Sequence, residues 1–256
     1  SSSSTCTIYE SYTTVTAREI TFEIPEGTGT NNEILVVSGG QSNYGSNCTS
    51  TYLDYAAPVI SSISASAVNT TGGTVTLSGY NFGSYWNSDS SSWQVTMRGT
   101  DLTISSSGYN HTHMEIIVPA GEGTGGIFSL TVDGQTDTEQ NFLGYKAPTI
   151  SKTSISSNGL PISGGVVTIT GNNFGTYGVA RTRLVPAGYE CRYASGSGCL
   201  SWPAESIYES SHTTVYMTMP TGQGIHTLYL NVSGQTASST INYAAPDLNR
   251  LTPSEA

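Results

Sequence analysis

The sequence predicts an all-β protein made of tandem two-sheet sandwiches, strung like beads. Three observations carry that expectation. Between frequent glycines the chain offers Thr, Val, Ile and Tyr, which suit strands, and few of the residues that long helices want. Apolar and polar residues alternate, as in Ser129-Leu130-Thr131-Val132 and Leu228-Tyr229-Leu230-Asn231-Val232, the period of a strand with one buried face. Blocks of sequence also recur: "LDYAAP" ends at Pro58, "LGYKAP" at Pro148 and "INYAAP" at Pro246.

Each of these endings follows the same run of signals. A Pro-x-Gly turn comes first ("IPEGTG" from Ile24, "VPAGEG" from Val118, "MPTGQG" from Met219), then an alternating strand, then a Gly-Gln turn. This reads as a hairpin. An extra glycine, Gly39, beside Gly40-Gln41 reads as a β-bulge in the first repeat. A further block opens the later repeats only: "GGTVTLSGYNFG", Gly72 to Gly83, and "GGVVTITGNNFG", Gly164 to Gly175. Its Gly-Gly pair predicts a turn. Val75 and Leu77, like Val167 and Ile169, are expected to face the core. Gly79 and Gly171 are expected to end the strand, and Phe82 and Phe174 to plug the core end. The 256 residues thus divide into 1–57, a partial module lacking its early strands, 58–148 and 149–246, two complete modules of about seven strands, and 247–256, the first strand of a further module or a donor strand. The size and turn density suit an immunoglobulin-like sandwich.

The ordered pattern P-x-I-x-x-I, GG-x-V-x-I-x-G-x-N-F-G, V-P-x-G-x-G, L-x-V-x-G-Q and Y-x-A-P resembles the IPT/TIG family of immunoglobulin-like modules, over nearly the whole chain. The resemblance implies a cell-surface or extracellular protein, serving in adhesion, as a receptor or as a spacer. Some family members bind DNA through basic loops. Here the formal net charge is −10, with only 8 Lys plus Arg, which argues against nucleic acid and against an anionic membrane surface. No apolar run is long enough to span a membrane, and no direct membrane insertion is expected.

No catalytic site, metal or cofactor is expected. "GEGTGG", Gly121 to Gly126, follows a proline and precedes a strand, unlike a phosphate-binding loop, which opens a helix. His111, His113 and Glu115 would share one strand face but read as exposed polar surface; His212 and His226 stand alone. Asp133, Asp137 and Glu139 read as a solubilising edge, with a weak calcium site as the sharper alternative. Cys6, Cys48, Cys191 and Cys199 are even in number and lack zinc spacing, so disulfides in an oxidising compartment are expected. N-glycosylation sequons stand at Asn47, Asn69, Asn110 and Asn231, making covalent glycans expected partners. Cys191 and Cys199 can close a loop carrying Tyr189, Tyr193 and Trp202, either a partner-binding surface or a loop packed on its own sandwich. Tyr80, Tyr85, Trp86 and Trp93 form a second aromatic group with the same two readings.

The ends carry the functional expectation. Leu248 and Leu251 match Ile60 and Ile63 in their spacing after the proline, and an orphan strand wants a sheet to join. End-to-end self-association into a glycosylated structural or adhesive rod or filament is expected; the alternative is a receptor ectodomain using the 187–206 loop.

Overall fold

The computed structural model describes residues 12–15, 20–38, 40–43, 51–83, 92–139, 143–176, 181–186, 200–201 and 207–247. Among these the regular elements are strands, with no helix. The chain divides into two compact units. Residues 1–66, 74–118 and 126–143 form one; residues 67–73, 119–125 and 144–256 form the other.

The first unit holds a sandwich of two four-stranded sheets. One sheet runs Thr103–Tyr109, His113–Val118, Gly73–Tyr80, Val59–Ile63. The other runs Thr100–Asp101, Trp93–Met97, Phe128–Val132, Gln135–Glu139. The alternation predicted from sequence sets which face is covered. Val75, Leu77, Met114, Ile116 and Val118 of one sheet are buried, as are Val95, Met97, Phe128, Leu130 and Val132 of the other. Polar neighbours such as Thr76, Ser129 and Thr131 are half-buried on the opposite faces.

The same unit carries the first repeat as three strand pairs: Tyr12–Val15 with Ile20–Phe22, Asn32–Ile34 with Thr51–Leu53, and Val37–Ser38 with Gln41–Ser42. No described hydrophobic side chain before Ile60 is buried. Ile20 and Ile24 are 37% and 49% exposed, whereas Met114 and Val118, at the same places before the Pro-x-Gly turn, are 0% and 1%. The first repeat therefore has strands but no closed core among its described residues.

The second unit repeats the sandwich. Its sheets run Thr149–Thr153, Gly165–Asn172, Thr214–Met219, Ile207–Ser210, and Leu200–Ser201, Arg181–Pro186, Ile225–Val232, Gln235–Asn242. One cluster joins Val167, Ile169, Val215, Met217 and Met219 of the first sheet to Leu228, Leu230, Val232 and Ile241 of the second. Each sandwich has eight strands among the described residues. The count exceeds the expected seven because short edge pieces, Thr100–Asp101 and Leu200–Ser201, add to the sheets.

The repeated GG block behaves largely as predicted. Phe82 and Phe174 are fully buried, each contributing about 1.5–3 kcal/mol. Asn81 and Asn173 turn the chain in the left-handed region, at φ 62° and 61°, which Asn tolerates better than most residues. The strand, however, does not end at Gly79 or Gly171. It runs to Tyr80 and Asn172, and the glycine is needed because a Cβ there would strike the carbonyl of Val59 or Thr149 and the ring of Phe82 or Phe174.

Two turn expectations are corrected. The Pro119–Gly125 loop is not a hairpin: it carries the chain from His113–Val118 in one sheet to Phe128–Val132 in the other. The tight hairpin is the Gly-Gln turn, where Asp133-Gly134 and Ser233-Gly234 have positive φ at both central positions, the geometry matching strand twist. In the first repeat Ser38 pairs with Gln41, leaving the same two residues between partners as Val132 with Gln135 and Val232 with Gln235. The pairing has no room for an inserted residue, although Gly39 itself lies outside the described residues.

Candidate functional site

One corner occurs three times. The tyrosine of each Y-x-A-P donates its hydroxyl to the carbonyl of the proline in the preceding Pro-x-Gly: Tyr55 to Pro25 at 2.9 Å, Tyr145 to Pro119 at 2.9 Å, Tyr243 to Pro220 at 3.0 Å. Its backbone N–H donates to a glycine carbonyl four residues past that proline: Gly29, Gly123 and Gly224, each at 2.9 Å. A Cβ on Gly27, Gly121 or Gly222 would fall on the tyrosine ring. The two separated motifs are therefore one structure. The glycine admits the ring and the ring's hydroxyl satisfies the loop's carbonyl. Burial pushes the Tyr243 phenol upward in pKa.

These corners form junctions with the repeat that follows. In the first unit Gln135 donates its side-chain N–H to the Tyr55 carbonyl at 3.0 Å, and Asn81 donates to the Ala57 carbonyl at 2.9 Å. Thr28 donates its hydroxyl to Asp133 Oδ2 at 2.6 Å. In the second unit Gln235 donates to the Tyr145 carbonyl at 3.1 Å, and Asn173 to the Ala147 carbonyl at 3.2 Å. Thr70, 1% exposed, closes this junction. Its N–H donates to Asn173 Oδ1 at 3.2 Å and its hydroxyl is 2.9 Å from His212 Nδ1. Glu122 lies against Gly175. Its pKa is raised by burial, a rise opposed by the nearby His212 and the Thr176 backbone.

Several residues singled out in the sequence have structural roles. Trp93 donates its indole N–H to the Phe82 carbonyl at 2.8 Å and meets Tyr109 edge-on at 6.2 Å. The Tyr109 hydroxyl donates to the same carbonyl, and burial raises its pKa. Trp93 is thus part of the core end rather than a contact surface; Tyr80 remains 63% exposed. Asp133 and Asp137 are not a merely solubilising edge, because Asp137 Oδ2 accepts the Ile60 N–H at 2.6 Å and Asp133 accepts Thr28. His111 precedes the strand that His113 begins, so the two do not share a strand face. His111 Nδ1 is buried without a hydrogen-bond partner, whereas His212 meets Thr70.

Among the described residues no group of three or more His, Cys, Asp or Glu could hold a metal ion. A surface groove of about 400 Å³ is lined by Lys152, Thr153, Ser154, Ile155, Thr168 and Thr170, with neither carboxylate nor aromatic ring among them. Asn69 and Asn110 are exposed. Asn231 is half-buried, and its Nδ2 donates to Thr236 Oγ1 at 3.3 Å, a bond that a glycan would displace. Asn47, Cys6, Cys48, Cys191, Cys199, Tyr189, Tyr193, Trp202, Leu248 and Leu251 lie outside the described residues. The junction glutamines escaped sequence reasoning; their recurrence after the hairpin glycine was the available signal.

The two-sheet sandwiches and their shared corners define a class: tandem immunoglobulin-like β-proteins. More particularly, residues 58–145 match the model of the IPT/TIG domain family. Among solved structures, the chain is similar to the surface glycan-binding protein PbSGBP-B from Prevotella bryantii, at 17% identity and TM-score 0.40, covering 73% of this chain and 42% of that one. It is also similar to the plexin A4 extracellular region, at 16% identity and TM-score 0.33, covering 81% of this chain and 21% of that one. A third is titin domains A168–A170, at 9% identity and TM-score 0.35, covering 73% and 65%. The chain thus spans about two fifths of the Prevotella protein's length. No curated protein sequence matches the chain closely enough to count as a relative. Among the described residues, no helix is long and apolar enough to cross a membrane.

Proposed function

We propose that this protein is an extracellular structural or adhesive chain of IPT/TIG modules, 1–57, 58–148, 149–246 and a strand from 247, which self-associates end to end. It acts through geometry and contact rather than through catalysis. The observation that carries the reading is the first repeat. Its Ile20 and Ile24 stay exposed where Met114 and Val118 of the next repeat are buried, and Leu35, Val36 and Val37 before its Gly-Gln turn are exposed as well. An apolar face beside an unfilled sheet edge favours strand addition. The segment after Pro246 has Leu248 and Leu251 at the sequence positions of Ile60, which is buried, and Ile63. A head-to-tail contact whose rotation does not close into a ring builds a filament. Sequons at exposed Asn69 and Asn110, and an acidic chain of low charge content, suit a glycosylated extracellular polymer.

The experiment is sedimentation of the full chain across a wide concentration range, with and without residues 247–256. Mass that grows with concentration and is lost on deletion is the expected result. A chain that stays monomeric throughout would refute self-association. Unchanged growth after deletion would refute donation by that strand.

A further inference from the structure

The second and third repeats differ at one strand edge. Gln135–Glu139 and Gln235–Asn242 each follow the Gly-Gln hairpin, and each lies last in its sheet among the described residues. In the second repeat a side chain of the strand itself caps this edge. Asp137 Oδ1 accepts the Thr138 N–H at 2.9 Å and Oδ2 accepts the Ile60 N–H at 2.6 Å, so one carboxylate ties the edge to the facing strand. Glu139 adds a second charge. Charged side chains on an outer strand block further pairing. The third repeat has alanine in the same register: Leu130 pairs with Asp137, and Leu230 with Ala237. Ala237 can accept neither the Ser238 N–H nor the Ile150 N–H. The strand is also longer, eight residues against five, with no charged residue and no proline. Its place in the chain is not the cause, because the second repeat is flanked by repeats on both sides and its edge strand is still the last of its sheet.

The hairpin register fixes which backbone groups face outward. Val232 and Gln235 flank the two-residue turn Ser233-Gly234 and so exchange hydrogen bonds; Ala237, Ser239 and Ile241 follow in that phase, towards Ile225–Val232. Thr236, Ser238 and Thr240 turn their N–H and C=O the other way, and their side chains are exposed. The next outward carbonyl, that of Asn242, accepts the Leu160 N–H at 2.8 Å, which agrees with this phase and marks where the open edge stops.

The occupant can be read from these three residues, because Thr-Ser-Thr is the same in both directions. An antiparallel copy centred on Ser238 sets Ser238 opposite Ser238 and each Thr236 opposite a Thr240. Every such pair exchanges N–H···O=C bonds in both directions, and Thr–Thr pairs across strands are favourable. Charge points the same way. Copies with a net charge of −10 repel one another, least where a surface carries no charge.

We propose that Gln235–Asn242 pairs antiparallel with the same strand of a second copy of this chain, joining two sandwiches edge to edge about a two-fold axis. The contact is isologous and closes on a pair. It goes beyond end-to-end association and does not depend on it.

The test is sedimentation of the full chain, and of the chain without residues 247–256, up to high concentration. Ser238→Pro removes one outward N–H and leaves the ladder to Ile225–Val232 intact. Ala237→Asp restores the second repeat's carboxylate. Each variant is checked for unchanged circular dichroism. The expected result is a dimer that survives the deletion and weakens by about tenfold or more in both variants. The register has its own check. Chains carrying Thr236→Cys and chains carrying Thr240→Cys, mixed under mild oxidation, should cross-link to each other and not to themselves at these positions, because opposed Cα atoms lie about 5.5 Å apart. Peptide mapping locates the bond. If the deletion abolishes all association, or both variants associate as the parent does, the edge pairing fails and end-to-end association is untouched. If association survives the deletion but stops at a dimer, end-to-end donation fails and the edge pairing stands. If the mixed chains show no preference for each other, this register fails. If the unaltered chain is monomeric at every concentration, pairing between copies fails, and the edge is open to a strand of another protein.

Discussion

The ring of Tyr145 stands where a Cβ on Gly121 would have to be. Its hydroxyl reaches past that glycine to the Pro119 carbonyl at 2.9 Å. Two motifs far apart in sequence thus occupy one corner, and Tyr55 with Gly27 and Tyr243 with Gly222 repeat it.

Gly121→Ala and Gly222→Ala should each destabilise their unit by about 1–3 kcal/mol, because the ring must shift or the loop must open. Tyr145→Phe should cost less, about 0.5–1.5 kcal/mol, as it removes one hydrogen bond but leaves the ring. Urea unfolding midpoints check the ranking; a Tyr145→Phe loss larger than that of Gly121→Ala would contradict the steric account.

At Gly171 the obstacle is backbone. A Cβ would meet the Thr149 carbonyl, which cannot rotate away as a side chain can. Gly171→Ala should therefore separate the strand Thr149–Thr153 from its sheet. Gly234→Ala, with φ 87° but nothing within 4 Å, should cost only the left-handed conformation, about 1–2 kcal/mol. Hydrogen exchange of the Thr149–Thr153 amides distinguishes the two outcomes.

Glu122 predicts a pH dependence. Burial is the main cause of its raised pKa, so the folded chain holds this proton more tightly than the unfolded chain does. The protonated carboxyl is favoured in the fold, and stability falls as pH rises from the ordinary carboxylate range through the raised value. Glu122→Gln should remove that fall, so the variant gains thermal stability over the parent at neutral pH and matches it in acid. Melting curves at pH 4 and 7 measure it.

Gln235→Glu would place an acceptor against the Tyr145 carbonyl in place of a donor. The junction should lose roughly 1–3 kcal/mol, seen as faster proteolysis between the second and third repeats. Gln235→Ala should fall between the parent and this variant.

Expression in a glycosylating secretory host should add glycan mass at Asn69 and Asn110, removed singly by Asn69→Gln and Asn110→Gln in intact-mass spectra. Both side chains are exposed.

Much of the fold was legible because it is local. Strand alternation places Leu130 and Val132 on one face without reference to anything distant, and the Gly-Gly and Asn-Phe-Gly signals mark bends by their own backbone preferences. Gly121 and Gly79 were harder. Sequence reads a glycine as a turn or strand end, whereas here the reason is a tyrosine ring or a carbonyl arriving from a remote segment. Trp93 was left between two readings and Asp137 was misread for the same reason: their partners, Phe82 and Ile60, are neighbours only after folding.

By itself, then, the sequence determined the strands, the repeat and which side chains enter the cores, because burial follows a period of two that each strand carries within itself. Only the tertiary structure decided what the repeated ends do. Gln135, Gln235 and Thr70 became junction residues because their partners come from a different repeat. Hydrogen bonds between segments 80 to 142 residues apart depend on where the sheets bring them, and no local pattern encodes that.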